Sequence, residues 1–360
     1  MQAARPQYLT IVLQASAALV LVALLFGLIY QFFPITNDYY YYFRPVAENW
    51  LAGERSMVGN DGRVLRYPPW TLLFVVLPMG LPEYRAGSAL LTVGSLLLLG
   101  LSLAILLRMF PAPRVAIIFA LLTMFVAETL FMGQLDALTL LGMMVAWWAL
   151  RLQRPWPMGV AFCLLGMKPV NVIPFGIVVL MEMRHWPLKA ALQSFVLPLG
   201  MVVVSTLIIG PSFFTTYLGQ TGEAATDLAI TIWLALEALG LPSAPFIVLG
   251  ILTFVLTFRL AWREGLTERV GAVVMAAALS FTIYAHADYY ILLIPAFLYV
   301  WKRDWRAALL IYALTFTPLL RIFFGREISW VSIVYPLALL LAVWLLKPPD
   351  EPVASNLQRA

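Results

Sequence analysis

The chain alternates long apolar runs with short polar connections. Runs able to cross a bilayer cover 9–33, 84–107, 114–132, 134–150, 190–209, 245–260, 270–286, 289–301, 307–323 and 328–346. Several fall short of the ~20 residues a perpendicular span needs. Such short or Pro-broken pieces persist at membrane depth only where protein or a cavity replaces lipid. The pattern predicts an all-α polytopic membrane protein with roughly ten to eleven crossings and additional re-entrant segments.

Two stretches resist reading as simple crossings. Tyr67-Pro68-Pro69-Trp70 through Leu81-Pro82 is short and framed by proline, so it is expected to dip into the membrane and return. Pro155 to Met183 is too long for one plain helix and has basic residues at both ends. An even number of passes follows, with Lys168-Pro169 at the turn. The connection after the first run changes period. Phe43, Val46, Ala47, Trp50 and Leu51 fall on one helical face, Pro45 suits the first turn and Gly53 a stop. This predicts a short amphipathic helix lying in the interface.

Hydrophobic residues make up 62% of the chain and charged residues 11%, with a mean hydropathy of +0.90. Soluble domains carry roughly 45–50% apolar and about 25% charged residues, so a water-soluble fold is excluded. Leu9 to Phe33 is longer than a signal-peptide core of ~7–15 residues and lacks a small-residue cleavage site, so it reads as a retained helix. A single transmembrane domain is expected over 1–346, followed by a disordered cytoplasmic tail, 347–360. One cysteine, Cys163, rules out an intrachain disulfide framework.

The net charge of +5 is dispersed over connections and makes no case for nucleic acid. Arg108 with Arg114, Arg151 with Arg154, Arg184 with Lys189, Arg259 with Arg263 and Arg269, Lys302 with Arg303 and Arg306, and Lys347 occupy alternate connections. By the positive-inside tendency these face the cytoplasm, as do both termini. The opposite set (34–70, 133–134, 211–244, 286–288 and 321–327) carries most of the unusual polar residues. Any active site is therefore expected on the extracytoplasmic face.

Asp38 stands just beyond the first apolar run, in Asn37-Asp38-Tyr39-Tyr40-Tyr41-Tyr42. A carboxylate there could be a general base for an acceptor hydroxyl or an N-cap for the next helix. Neither Glu48 nor Glu54 lies at an Asp-x-Asp spacing, so metal dependence is not expected. Arg66, before Tyr67-Pro68-Pro69-Trp70, could grip a phosphate. Lys168 is a lysine at membrane depth, which normally has a partner, such as a phosphate, or lines a pathway, unless it snorkels to the interface. His286 and Asp288 could bind phosphate or orient a sugar, or simply bond one another. Gln134 could hold a sugar hydroxyl, Asp136 could cap the next helix, and Glu128 is an intramembrane acid of unknown partner. Arg321 and Arg326 could reach a phosphate or serve as surface charges.

Taken together, Asn37-Asp38-Tyr39-Tyr40 after the first helix, the Tyr-Pro-Pro entry, Gly133-Gln134, Lys168-Pro169, and His286 followed by Leu292-Leu293-Ile294-Pro295 resemble one known pattern. It is that of the GT-C superfamily of polyprenyl-phosphate-dependent glycosyltransferases, in particular glycosyltransferase family 87, which includes bacterial mannosyl- and arabinosyltransferases. The resemblance runs from the N-terminus to about Pro295. Asn37-Asp38 stands for the family's usual Gly-Asp, and His-Ala-Asp for Trp-Glu-His or similar.

The resemblance implies a GT-C fold in a bacterial-type plasma membrane. It implies inverting transfer of mannose or a similar sugar from a polyprenyl-phosphate donor to a lipid or glycan acceptor, with Asp38 as base. Lys168, Arg66, His286 and Arg321 are then the candidates for the donor phosphate. Tyr39, Tyr42, Tyr67, Gln134 and Asp288 are those for sugar or acceptor. No cofactor, metal or obligate protein partner is expected. A lipid or solute transporter is the alternative reading; it too would have broken helices and midplane charges, but the halves show no repeat symmetry.

Overall fold

Nearly every apolar run of the sequence becomes a helix. The computed structural model describes residues 5–54, 56–60, 62, 67–213, 230–282 and 285–346. Arg66, the side chain of Arg326, residues 214–229 of the 211–244 connection and the expected tail 347–360 lie outside the described residues. Among the described residues six helices are long and apolar enough to cross a membrane: Leu13–Phe32 within Arg5–Phe32, Tyr84–Met109, Leu188–Ile209, Ala244–Glu264, Trp305–Phe324 and Ile328–Leu345. A bent pair brings the number to seven, and Pro69–Gly80, Pro155–Gly166 and Ile173–Met183 are shorter apolar helices. The expected 134–150 and 270–286 runs correspond to Asp136–Leu152 and Glu268–Phe281, both largely buried. Short helices of this kind are stable at membrane depth because protein, not lipid, surrounds them.

The expected single crossing 114–132 is instead two helices, Arg114–Leu121 and Met124–Met132, meeting at 47°. Thr123 leaves helical geometry at ψ 150°, and its hydroxyl accepts the Val126 N–H at 3.3 Å. A side-chain cap thus starts a new helix where hydropathy shows only a continuous apolar run.

Both proline-framed stretches are helical, and the longer one breaks at its expected turn. Pro155–Gly166 and Ile173–Met183 are joined by a turn holding Lys168-Pro169. Pro69–Gly80 lies against that turn: Trp70 Nε1 donates to the Gly166 carbonyl at 2.8 Å and Thr71 Oγ1 to that of Met167 at 3.1 Å. A short helix forms over Arg44–Leu51, where the period predicts one, burying Pro45, Val46 and Ala47 and stopping before Gly53 at φ +87°.

Two π-helical turns flank this region, Tyr39–Phe43 and Leu72–Val76, each closing one residue before a proline. Arg44 N–H reaches back to the Tyr39 carbonyl and Leu77 N–H to that of Leu72. Pro45 and Pro78 have no N–H, and a proline ring crowds the carbonyl four residues earlier, so the turn before each widens. The Tyr41 carbonyl that Pro45 cannot serve accepts from Asn60 N–H at 2.9 Å.

Polar connections gather at two ends of the bundle. Tyr84, at the start of the 26-residue helix Tyr84–Met109, donates its hydroxyl to the Tyr40 carbonyl. About 39 Å away by helix geometry, its last residues meet Arg151, which donates to the Met109 carbonyl and stacks on Phe110. Lys302 also faces Phe110 and pairs with Glu268. Asp38 belongs to the first end, and this basic cluster to the second.

Tyr39 packs through a close approach to Gly87, where a Cβ would lie 1.8 Å from the tyrosine oxygen. Gly87→Ala is expected to cost about 1–3 kcal/mol by overpacking. Gly94→Ala, in the same helix but with open space around it, should be neutral or mildly stabilising. Melting temperatures of the two purified variants compare them directly; equal values would remove the steric argument.

Candidate functional site

Asp38 is placed by what comes before and after it. The preceding Thr36 is buried and ties the chain to Tyr84–Met109, its N–H donating to Ser88 Oγ at 2.9 Å. Thr36 also sits against Gly133, which has φ +73° and no room for a Cβ, since one would fall 2.5 Å from Thr36 Oγ1. Gly133 ends Met124–Met132 in the left-handed conformation that glycine adopts without strain. That brings Gln134 to Asp38. Following Asp38, the π turn and the Arg44–Leu51 helix are held by Arg44, which bonds Glu48 at 2.6 Å and the carbonyls of Gly80 and Pro82.

The Asp38 carboxylate is buried, 6% exposed. It precedes the π turn but makes no capping hydrogen bond. Instead its Oδ2 accepts from Gln134 Nε2 at 2.5 Å. The Gln134 carbonyl oxygen accepts from Lys168 Nζ at 2.7 Å and from the Tyr67 hydroxyl at 3.1 Å. Lys168 also donates to Asp136 Oδ2 at 3.0 Å and Asp288 Oδ2 at 3.4 Å, and its ammonium lies 3.7 Å from the centroid of the Tyr289 ring. An ammonium has three N–H groups, and these acceptors match them. Asp136 and Asp288 are nearly inaccessible, at 0% and 2% exposure.

Beyond Asp288 lies a cavity of about 430 Å³ lined by Glu128, His286, Asp288 and Arg321 among apolar residues that include Phe131 and Ile322. Arg321 donates to Glu128 Oε1 at 3.0 Å and to the Pro318 carbonyl at 3.1 Å. These account for two of the guanidinium's five N–H groups. Thr129, on the helix that carries Glu128, fastens the neighbouring 3-10 turn Ala287–Leu293 by donating to the Asp288 carbonyl at 3.1 Å.

The structure brings Asp38, Tyr67, Gln134, Lys168 and Asp288 into one hydrogen-bonded chain, and sets His286 and Arg321 in the adjoining cavity. Tyr39 is corrected: it was expected at the sugar or acceptor, but its side chain is fully buried and its hydroxyl donates to the Met79 carbonyl at 2.8 Å. Burial raises the Tyr39 phenol above its ordinary range, consistent with a packing role. Tyr42 is half-buried, packed against the hydrophobic cluster that holds Tyr39, Phe43 and Tyr67. Asp136 was expected as a cap; Leu135 holds the cap position, and Asp136 points to Lys168. Glu128 has Arg321 as its partner. Both pairings were unassigned in the sequence, although a membrane-depth lysine calls for acids at its own level and Asp136 and Asp288 meet that condition. Among the described residues no group of three or more His, Cys, Asp or Glu is placed to hold a metal ion.

Comparison with curated proteins finds no significant match. Among solved structures, the crystal structure of ArnT from Cupriavidus metallidurans bound to undecaprenyl phosphate is similar, with 16% identity and a TM-score of 0.43, covering 91% of this chain and 76% of that one. The family model of glycosyltransferase family 87 matches residues 65–286, more than half of the sequence. The helical membrane architecture and this match agree with the resemblance read from the motifs: the chain belongs to glycosyltransferase family 87.

Proposed function

We propose that this membrane glycosyltransferase moves a sugar from a polyprenyl-phosphate donor to the hydroxyl of a lipid or glycan acceptor on the extracytoplasmic face, with inversion. The observation that carries the proposal is the Asp38 carboxylate: buried, excused from capping, and held by an amide at one end of a polar chain that leads to the cavity. A base needs reach, ionisation and shelter from bulk water. In the reaction the acceptor oxygen forms a bond to the anomeric carbon while Asp38 takes its proton. The bond from that carbon to the phosphate oxygen breaks, its electron pair leaving with the polyprenyl phosphate.

The leaving phosphate gains negative charge, so fixed cationic donors beside it lower the barrier. Arg321 and His286, on a cavity wall shared with Phe131 and Ile322, suit a phosphate attached to an apolar chain. Lys168, whose N–H groups are directed to Gln134, Asp136 and Asp288, acts in this reading by ordering the site. Arg66 keeps its proposed place at the phosphate.

The test is transfer from radiolabelled polyprenyl-phosphate-mannose to a lipid or glycan acceptor by purified protein in lipid. Flux of the lipid or a solute across vesicles, with no transfer from any polyprenyl-phosphate sugar, would favour a transporter. Arg321→Ala is expected to raise the donor KM by roughly 10–100-fold, as for loss of a charged hydrogen bond. A lower melting temperature with unchanged KM would leave Arg321 as only the structural partner of Glu128.

A further inference from the structure

We propose that Gln134 is a positioning residue that orients the Asp38 carboxylate, and that Lys168 and Tyr67 set the direction in which Gln134 does so. This rests on Asp38 being the base. The Lys168 ammonium has only donors to offer, so the Gln134 atom 2.7 Å away must be the carbonyl oxygen. The Tyr67 hydroxyl, at 3.1 Å, takes the second lone pair of that oxygen. Flipping the amide would set its NH2 against an ammonium. The NH2 therefore faces Asp38 Oδ2 at 2.5 Å, and that bond fixes where this carboxylate oxygen points.

A second consequence concerns basicity. A lysine in direct contact with Asp38 would stabilise its anion strongly and weaken it as a base. The neutral amide transmits the orientation set by Lys168 without that contact, while the lysine's charge is balanced by Asp136 and Asp288. Among the described residues the ionisable groups around Gln134 include Asp38, Tyr67, Lys168, Asp136, Asp288 and Tyr289, and all are kept in the Gln134 variants below.

Gln134→Glu retains an acceptor for Lys168 and Tyr67 but has no N–H for Asp38; Gln134→Leu removes both. In both variants kcat for transfer from polyprenyl-phosphate-mannose should fall about 10–100-fold with donor KM within twofold of wild type. The acid limb of the pH–rate profile should move to higher pH, because a donor that favoured the carboxylate is gone. Infrared titration supplies a readout independent of turnover: the protonated-carboxyl band that disappears in Asp38→Asn should emerge at higher pH in both variants, by about one unit.

Several results would overturn the proposal. A band and pH profile unmoved in both variants would do so, as would a raised donor KM at constant kcat, which makes Gln134 a substrate contact. Loss in Gln134→Leu alone would reduce Gln134 to a partner that satisfies Lys168. Full transfer by Asp38→Asn is a different failure: it removes the base assignment itself, whatever Gln134 does.

Discussion

Asp38→Asn should lower transfer by about 10²–10⁴-fold, the usual contribution of a general base, while leaving the fold intact. Asparagine has nearly the same shape, and its carbonyl oxygen can still accept the Gln134 amide hydrogen that Asp38 Oδ2 accepts at 2.5 Å. No capping bond is lost, because Asp38 makes none. Melting temperature and donor binding should therefore stay near wild type while kcat collapses. Asp38→Glu keeps the charge but pushes the carboxylate out by one methylene, and a misplacement of about 1 Å can cost on the order of 10²-fold. Substantial recovery in Asp38→Glu is not expected. Wild-type turnover by Asp38→Asn would refute the assignment.

The largest stability effect is expected at Lys168. Its ammonium is the shared counter-charge of Asp136 and Asp288 and is bonded to both. Lys168→Met retains much of the aliphatic volume but leaves two buried carboxyl groups facing one another without a cation. Breaking a buried ion pair from one side costs about 3–5 kcal/mol. Because the loss comes from uncompensated charge, Lys168→Met combined with Asp136→Asn should recover part of it. Arginine should be a poor substitute: its planar fork must enter a site shaped for a point charge over the Tyr289 ring. Thermal unfolding of the three variants in the same lipid or detergent measures this. A Lys168→Met protein that melts with the wild type would show that the triad contributes little.

The sequence and the structure agree most closely where one residue type has a single physical outcome. Proline at 69 and 155, at the edges of the two short stretches, starts a helix in each case, because its fixed φ and missing N–H suit the first turn. The face that includes Phe43, Val46 and Ala47 was visible as a period and these three are buried, while Leu51 at its end is exposed. Lys168 stood out because its cost at membrane depth is a property of one side chain. The bend at Thr123 was hidden for the opposite reason: threonine in an apolar run looks like any other residue until its hydroxyl finds the Val126 N–H.

Pairings were legible only as needs. Lys168 required a partner, but Asp288 is 120 residues away in the chain, and Arg321 meets Glu128 across 193. Nothing in a local pattern couples positions so distant. The tyrosine run shows the same limit from another side. Tyr39, Tyr40, Tyr41 and Tyr42 look equivalent in the sequence, yet Tyr39 is buried while Tyr40 and Tyr41 are exposed. The π turn before Pro45 sets their directions, and Gly87 makes the space that Tyr39 enters.

By itself, then, the sequence determined the membrane class, most of the helical runs, the breaks at prolines, the short helix after the first run and the candidacy of Asp38, Gln134 and Lys168. Each follows from the transfer energy or backbone geometry of residues close together in the chain. Tertiary structure alone decided which partner each polar group takes: Gln134 at Asp38, Asp136 and Asp288 at Lys168, Glu128 at Arg321. Burial forbids leaving such groups unpaired, but only the packed helices bring a particular donor within 3 Å of a particular acceptor.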